Sequence, residues 1–224
     1  KINNIMFYRN RLVFLSRSAV ITSQAGDFTN FFPGTGLTTS PSDPIDIEAS
    51  SDFSPNLFAG IQINNAMLIF SEYSQFLLTT DSDAFTPNTA KMTQISKFHF
   101  DPRSEPFLLD TNVGFKGGHK DNARLYEMTI IFREGQVDAI ERSKLVFNTL
   151  NGYANHHKLD VSRDTGTVFM GGLDSDILFV YKYFKENSQK DLLSAWVKWQ
   201  LPAPLVHHFT SRDRHYLIVR DEVD

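Results

Sequence analysis

The sequence contains no cysteine among its 224 residues, and this absence excludes several kinds of site. Disulfides, thiolate nucleophiles and zinc sites with cysteine ligands all require that residue. Long apolar runs are missing as well, because the longest, such as 66–70 and 177–181, are far too short to cross a bilayer. We therefore expect no membrane anchor.

Blocks of like charge are also missing. Lys and Arg total 22 against 26 Asp and Glu, which gives a formal net charge of −4, and the basic residues are scattered. A dedicated nucleic-acid binder needs a basic stripe to displace counterions from phosphates. The sequence therefore disfavours that function, although DNA can still pass nearby without being gripped.

The residues that are abundant favour a β fold. Hydrophobic residues make up 41% of the chain, 20 residues are Phe, and 9 Pro and 12 Gly supply turns. This combination is typical of many short strands rather than long helices. Apolar segments bounded by turn residues predict strands at 12–15, 19–21, 67–70, 76–78, 93–100, 124–132, 167–170, 176–184 and 215–219.

Two segments offer a competing helical pattern. In 137–150, Val137, Ile140, Lys144 and Phe147 recur at spacings of three and four, and 189–193 has the length of a single helical turn. The β-branched and aromatic content of the first segment weakens the helical interpretation. The predicted fold class is mainly β, built from antiparallel meanders of short strands.

Turn-flanked apolar pieces repeat along the chain. They start near Arg11, Met67, Asn112, Thr167 and His215, at intervals of 56, 45, 55 and 48 residues. A four-stranded propeller blade has about this size, roughly 40–50 residues. The repeat predicts a partial or complete β-propeller-like domain, and a generic meander or sandwich stays open as the alternative.

The segment 30–55 differs from the rest because it is rich in Pro, Gly, Ser and Thr. Proline fixes φ and removes a backbone donor, so we expect an ordered, irregular loop rather than a ladder strand. Residues 1–224 are predicted to form a single β-rich domain, with a possible seam near 117–122. The chain starts with Lys1 and stops soon after the apolar run 216–219, so we expect a fragment of a larger protein.

The common catalytic and cofactor motifs are missing. No GxGxxG, GxxxxGK(S/T), GxSxG or HExxH occurs. His156, His157 and Asp160 form the densest group of metal-ligating types, but only His156 and Asp160 would share a helical face, and zinc needs three or four converging donors. His207 and His208 would point to opposite faces of a strand. The sequence therefore predicts no catalytic, cofactor or metal site.

Acidic residues leave one enzymatic alternative open. Segments 81–83 and 174–176 begin like a calcium loop, but both are interpreted as turns, and the first lacks the Gly that such a loop needs. Glycoside hydrolysis needs two facing carboxylates. The candidates are Asp43, Asp46, Glu48, Glu72, Asp101 and Glu105, and such candidates carry little information in a chain with 26 acidic residues.

Four stretches form an ordered set of motifs: 10–32 (NRLVFLSRSAVITSQAGDFTNFF), 42–50 (SDPIDIEAS), 68–87 (LIFSEYSQFLLTTDSDAFTP) and 178–201 (LFVYKYFKENSQKDLLSAWVKWQL). Together they resemble the podovirus tail tubular protein B family, also called the nozzle protein family. Order and approximate spacing are kept over most of 5–201, and 122–161 departs most. The motif residues are Arg11, Leu12, Ser23, Gly26, Asp27, Phe28, Asn30, Phe31, Asp43, Pro44, Asp46, Gln75, Phe76, Tyr181, Tyr183, Trp196 and Trp199.

The first and last motifs also have a physical interpretation. In the first, a hairpin is followed by a Gly-Asp turn, and Phe28, Phe31 and Phe32 are expected to pin the following loop to the core. In the last, Trp196 and Trp199 could stack sugars or bases, but strand residues that pack a blade or its rim are the favoured interpretation.

The resemblance implies a structural role in a virion. Family proteins form a six-fold ring at the distal end of a short phage tail, below the adaptor or gatekeeper ring. They complete the DNA conduit, help to hold tail fibres and carry a β-propeller-like domain, into which this chain would fall. The resemblance thus implies a homo-hexamer of the full-length protein, no cofactor, transient DNA passage without specific binding, and virions assembled in the bacterial host cytoplasm. The alternative is a carbohydrate-binding or polysaccharide-degrading tail module.

Overall fold

The chain is all β in the parts that the structure, a computed structural model, describes: residues 1–51, 54–109, 111–119, 121–131, 136–142, 148–187, 190–212 and 214–220. The strands are β1 (Ile2–Tyr8), β2 (Arg11–Ser16), β3 (Ala19–Thr22), β4 (Asp46–Glu48), β5 (Leu57–Ile63), β6 (Ala66–Ser71), β7 (Gln75–Thr80), β8 (Ala90–Ser96), β9 (Phe107–Leu109), β10 (Asn112–His119), β11 (Asn122–Ile131), β12 (Gln136–Glu141), β13 (Lys158–Ser162), β14 (Thr167–Gly171), β15 (Ile177–Asn187), β16 (Lys190–Gln200), β17 (Leu205–Ser211) and β18 (Arg214–Val219). Nowhere in the described ranges is there a helix long and apolar enough to cross a bilayer.

The strands form sequential antiparallel meanders. Four sheets of four strands each follow the chain order, β1 to β4, β5 to β8, β9 to β12 and β13 to β16, and β17 pairs with β18 in a two-stranded sheet. Every pairing is antiparallel. The predicted fold class, mainly β with short antiparallel strands, is confirmed.

The sequence repeat marks the second strand of each sheet. Its positions near Arg11, Met67, Asn112, Thr167 and His215 fall on β2, β6, β10, β14 and β18. In the four-stranded sheets these strands have a neighbour on each side, and their apolar residues are therefore the most uniformly buried. Strands β6 and β14, for example, are buried along their whole length. A four-strand meander is thus the repeating unit, and its arrangement as a propeller stays a prediction.

The chain divides into two compact units, Lys1–Pro102 and Arg103–Asp224. The first unit has one large cluster of buried residues, to which Val13 and Leu15 of β2, Ile69 of β6 and Phe76 of β7 belong. In the second unit, described residues of β14 and β15 supply most of the buried clusters. The predicted seam at 117–122 lies on the β10–β11 hairpin, and the single-domain assignment stays a prediction.

Both helical interpretations are wrong in the residues that can be compared. Val137 to Glu141 lies in β12, where Val137 pairs with Ile130 of β11, and 143–147 lies outside the described residues. Lys190 to Leu193 begins β16, and residue 189 is also outside them. Helical spacing over so few residues is also compatible with a strand, and cross-strand pairing decides between the two.

Two other segments differ in part from their predictions. The strand predicted at 93–100 ends at Ser96. The described residues of the predicted loop 30–55 are irregular, as predicted, except that Asp46–Glu48 forms the short strand β4 beside β3, and residues 52 and 53 lie outside the described residues. The segments 81–83 and 174–176 connect β7 to β8 and β14 to β15, as predicted for turns.

Candidate functional site: an anchored loop, a groove and an aromatic cluster

A buried arginine anchors the loop between β3 and β4. Arg11, the first residue of β2, is 1% exposed. Its guanidinium donates five hydrogen bonds to backbone carbonyl oxygens, those of Ser23 (2.8 Å), Pro41 (3.0 Å), Ser42 (3.3 Å), Asp43 (2.7 Å) and Phe85 (3.3 Å). Arginine suits this site because the two terminal nitrogens of its planar guanidinium make all of these bonds from fixed directions, while Nε is buried without a partner among the described residues. The side chain therefore ties β2, both ends of the loop and the β7–β8 connection together.

Charge balance at this anchor comes from the loop itself. Burial lowers the pKa of Arg11, and the nearby carboxylate of Asp43 acts in the opposite direction. Asp43 is itself buried, and its Oδ2 accepts a hydrogen bond from the backbone N–H of Ser40 at 2.8 Å. A buried cation with a carboxylate and several dipoles around it keeps its charge.

Ser23 joins the anchor to the hairpin. Its Oγ accepts a hydrogen bond from the N–H of Leu12 at 3.0 Å, and its own N–H donates to the carbonyl of Leu12 at 2.8 Å. These bonds continue the β2–β3 ladder one residue beyond Thr22. Two predicted motif residues, Leu12 and Ser23, thus fix the point where the loop leaves the sheet.

The beginning of the loop is a tight turn. Gly26 has φ of +79°, a left-handed conformation that glycine adopts without strain, and its N–H donates to the carbonyl of Asn10 at 2.9 Å. Asp27 accepts from the N–H and Oγ of Thr29, and these bonds lower its pKa. Asn30 donates to Gln24 Oε1 at 2.7 Å. Side-chain hydrogen bonds of this kind replace a ladder in turns.

The aromatic residues of the loop differ in their contacts. Phe31 stacks on Phe14 of β2, with ring centroids 4.9 Å apart, and Phe28 lies edge-on to Phe7 at 5.3 Å. Phe32, in contrast, is 79% exposed, so the expectation that it pins the loop to the core is wrong. The backbone N–H of Phe32 donates a hydrogen bond to Asn30 Oδ1 at 3.0 Å. Leu37, farther along the loop, is 94% exposed.

The return of the loop to the sheet uses the second motif. Pro44 precedes Ile45, which is buried, and Asp46 begins β4 opposite Ile21. The side chain of Asp46 is exposed. Proline at the start of the strand removes no ladder hydrogen bond there.

The third motif supplies two buried residues of β7. Phe76 is fully buried in the core of the first unit. Gln75 is also fully buried, and its amide bonds the chain that follows β8. A buried amide must find such partners, because leaving it unpaired costs free energy.

A groove lies beside the β6–β7 turn. It has a volume of about 520 Å³ and is lined by Ser51, Ser54, Pro55, Asn56, Phe58, Ser71, Glu72, Tyr73, Ser74, Gln94 and Lys97. Tyr73 is 63% exposed at its rim. Glu72 is the single carboxylate among these lining residues. Glycoside hydrolysis needs two facing carboxylates, and the described lining residues supply one of them.

The other acids considered from sequence are distributed over different environments. Asp43 belongs to the arginine anchor, Asp46 and Glu48 are exposed on β4, Asp101 is buried, and Glu105 is exposed. None of these acids is among the described residues that line the groove with Glu72.

The fourth motif forms an aromatic cluster on β15 and β16. Trp196 pairs with Tyr181 across the two strands, with ring centroids 5.0 Å apart, and Tyr183 stacks beside Tyr181 at 6.0 Å. The indole N–H of Trp196 donates to the carbonyl of Arg142 at 3.0 Å. Trp199 is 42% exposed on the other face of β16. The predicted packing within the sheet therefore fits Trp196 better than the partly exposed Trp199.

The metal-ligating group considered from sequence does not converge. The Nε2 atom of His156 lies 3.0 Å from the carbonyl oxygen of Ile177. Burial lowers the pKa of His156 to about 4, and the ammonium group of Lys116 adds to this effect. Asp160 instead lies near His208 and His215, a group that sequence spacing did not indicate.

Two comparisons with known proteins bear on this chain. A family model described as "Bacteriophage nozzle protein" matches residues 1–224. The chain is also 25% identical over 226 aligned residues to "Tail tubular protein gp12" of Escherichia phage T7. That alignment covers 99% of this chain and 28% of the relative, so the chain spans about 28% of the length of the curated relative that it matches.

Proposed function

This chain belongs to the bacteriophage nozzle protein family, and from that premise we propose that it is part of the nozzle at the distal end of a short phage tail. The observation that carries the proposal is the family match over residues 1–224. Sheets whose loops are fixed by buried side chains such as Arg11 are suited to a structural role. On this proposal the protein acts in the tail of the virion, after assembly in the host cytoplasm.

The full-length protein forms a homo-hexameric ring in this proposal. The ring joins the adaptor or gatekeeper ring on one side, supports tail fibres and completes the DNA conduit. A formal net charge of −4, without clustered basic residues, suits a passage through which phosphates slide without being held. DNA then passes without specific binding.

The loop between β3 and β4 supplies a contact to a neighbouring copy in the ring. Its base is fixed by Arg11, while Phe32 and Leu37 stay in water at 79% and 94% exposure. Large apolar side chains held in water on an ordered loop favour burial against a partner surface. The gain on burial is about 25 cal/mol per Å² of apolar surface.

Native mass spectrometry and electron microscopy of the full-length protein test the ring. We expect six subunits arranged around one axis. A full-length protein that stays monomeric at micromolar concentration and does not join the adaptor ring would contradict the proposal.

Substitution of the loop tip tests the contact. Phe32→Ser combined with Leu37→Ser should weaken ring formation while leaving the thermal unfolding of the chain unchanged, because neither side chain is buried. Tyr73→Ser, at another exposed aromatic residue of the same unit, is the matched control and should assemble normally. Ring formation by the double variant at unaltered concentration rejects the loop as the contact.

The proposed role is structural rather than catalytic. Among the described residues that line the groove, Glu72 is the one carboxylate, where glycoside hydrolysis needs two. The alternative, a carbohydrate-binding or polysaccharide-degrading module, predicts release of reducing ends from capsular polysaccharide, or its retention on the protein. Glu72→Gln separates the two, because a hydrolase that uses this groove loses activity with that change. Turnover by the unmodified chain, abolished by Glu72→Gln, would replace the structural proposal for this region.

A further inference from the structure

Three side chains on different strands of the second unit converge. Asp160 of β13, His208 of β17 and His215 of β18 each bring one nitrogen or oxygen atom to a place where these atoms all lie within 4.8 Å of one another. His208 and His215 are diagonal neighbours in the hairpin, because Thr210 pairs with His215 and His208 pairs with Leu217. Diagonal neighbours lie on one face of a sheet. The fold therefore assembles a set that is scattered over 55 residues of sequence.

The orientation of His208 leaves one ring nitrogen available. Its Nε2 lies 3.2 Å from the carbonyl oxygen of Lys158. A carbonyl oxygen only accepts, so Nε2 carries the hydrogen and Nδ1 keeps a free lone pair. Nδ1 is buried and has no hydrogen-bond partner in the described protein. Metal-binding histidines are held in the same way, with the second ring nitrogen donating to a carbonyl.

Asp160 and His215 complete the set. Asp160 Oδ2 lies 3.8 Å from His215 Nδ1, too far for a hydrogen bond, and this oxygen is buried without a hydrogen-bond partner among the described residues. His215 Nδ1 also lies 2.9 Å from Thr210 Oγ1, a contact that a metal ion bound through Nδ1 would replace, and His215 Nε2 is buried without a partner among those residues. The His215 ring is held flat against Phe169, with centroids 3.5 Å apart. A buried carboxylate oxygen without a partner is costly unless something else neutralises it.

We propose that Asp160, His208 and His215 bind a divalent transition-metal ion of the zinc class, which cross-links the β13–β16 sheet to the β17–β18 hairpin. Two imidazoles and one carboxylate give three protein ligands, and a water molecule completes a tetrahedron. Imidazole ligands exclude Mg²⁺ and Ca²⁺, which prefer oxygen. Zinc–ligand bonds of about 2.0–2.2 Å put ligand atoms about 3.4 Å apart, so the three groups approach by roughly 1 Å on binding.

Asp160 keeps 29% of its side chain exposed, so one side of the group is accessible from solvent.

Zinc titration of the tag-free 224-residue chain tests the proposal, followed by calorimetry and by the visible spectrum after Co²⁺ is added. We expect one metal ion per chain, a higher Tm with Zn²⁺, and ligand-field bands of tetrahedral Co²⁺. Asp160→Asn and His215→Gln should each weaken Zn²⁺ binding at least tenfold. Asp164→Asn and His207→Gln are matched controls, because both residues are exposed nearby, and they should bind like the unmodified chain.

The outcomes decide the proposal in each direction. Asp160→Asn keeps the shape of a partly exposed side chain, so it tests the site even if a change at the buried His208 prevents folding. Absence of Zn²⁺ binding by the unmodified chain overturns the proposal. Equal affinity in folded Asp160→Asn overturns it too, since the metal would then bind elsewhere.

Discussion

The side-chain amide of Gln75 bonds both backbone polar groups of Phe98. Its Nε2 donates to the carbonyl oxygen of Phe98 at 2.8 Å, and its Oε1 accepts from the N–H of Phe98 at 3.0 Å and from Ser96 Oγ at 2.6 Å. Ladder pairing stops where β8 ends at Ser96. The side chain of Gln75 thus takes the place of a neighbouring strand for Phe98, beyond the end of β8.

Gln75→Glu should destabilise the first unit by about 2–4 kcal/mol at neutral pH, because a buried carboxylate would face the Phe98 carbonyl. Below the raised pKa of that carboxyl group, its protonated form can donate, so the loss should shrink as the pH falls. Urea unfolding at pH 7.5 and pH 4.5 measures both effects. Gln62→Glu on the exposed face of β5 is the matched control. Equal free energies of unfolding for the two variants would refute the strand-replacement role.

Arg11→Met should lower the free energy of unfolding by roughly 3–5 kcal/mol. The change removes the guanidinium donors from the backbone carbonyl oxygens of Asp43 and Phe85, while it keeps most of the apolar stem. Arg17→Met, at an exposed arginine in the turn between β2 and β3, should change stability by less than about 0.5 kcal/mol. Limited proteolysis should also cut the β3–β4 loop faster in Arg11→Met. Unchanged protection of the loop would contradict its anchoring by Arg11.

Alanine substitutions at two glycines with positive φ distinguish the cost of backbone strain from the cost of steric overlap. Gly166 has φ of +59°, and an added Cβ would lie 2.3 Å from the carbonyl oxygen of Tyr183. Gly152 has φ of +83° and open space around it. Gly152→Ala should cost about 1–2 kcal/mol from strain alone, and Gly166→Ala at least about 3 kcal/mol because backbone must move. Thermal unfolding measures both, and similar losses would show that the close approach is not rigid.

The buried His156 should make stability fall in mild acid. Its pKa is lowered to about 4 by burial, whereas an unfolded histidine has a pKa of about 6.5. The unfolded chain therefore binds more protons, and the stabilisation is complete above pH 6.5 and lost as the pH falls towards 4. At pH 5 the loss from this residue is about 2 kcal/mol.

His156→Gln, which keeps a donor towards Ile177, tests this pH dependence. The variant should show a smaller fall in unfolding free energy between pH 7.5 and pH 5, measured with EDTA present to remove metal ions. The exposed His207→Gln should retain the full dependence. The same slope in both variants would assign the effect to other groups, such as His208 and His215.

Sequence predicted the strands that are buried on both faces. The apolar run of β6 is wholly buried, and such runs need no partner information to be recognised. Strand β1 was not predicted, because it contains two asparagines and a single buried position, and its stability comes from pairing with β2. Propensity cannot report on a neighbour that is distant in sequence.

The candidate sites divide in the same way. Arg11 and Gln75 were predicted as motif residues, but their roles were not. Both side chains bond backbone atoms of distant residues, and because every residue type has these atoms, the sequence does not reveal the partners. The metal-ligating group was sought among adjacent residues, His156 to Asp160. The observed group joins three strands and needed the β17–β18 register to bring it together.

The reach of Arg11 constrains how the protein can be made. Its guanidinium bonds the carbonyl of Phe85, 74 residues later in the chain. During synthesis the arginine emerges first, so its charge stays hydrated on the nascent polypeptide until the β7–β8 connection has left the ribosome exit tunnel. At about 5–20 residues per second, this wait lasts several seconds. We therefore expect the loop anchor of the first unit to be completed only after the β7–β8 connection has emerged.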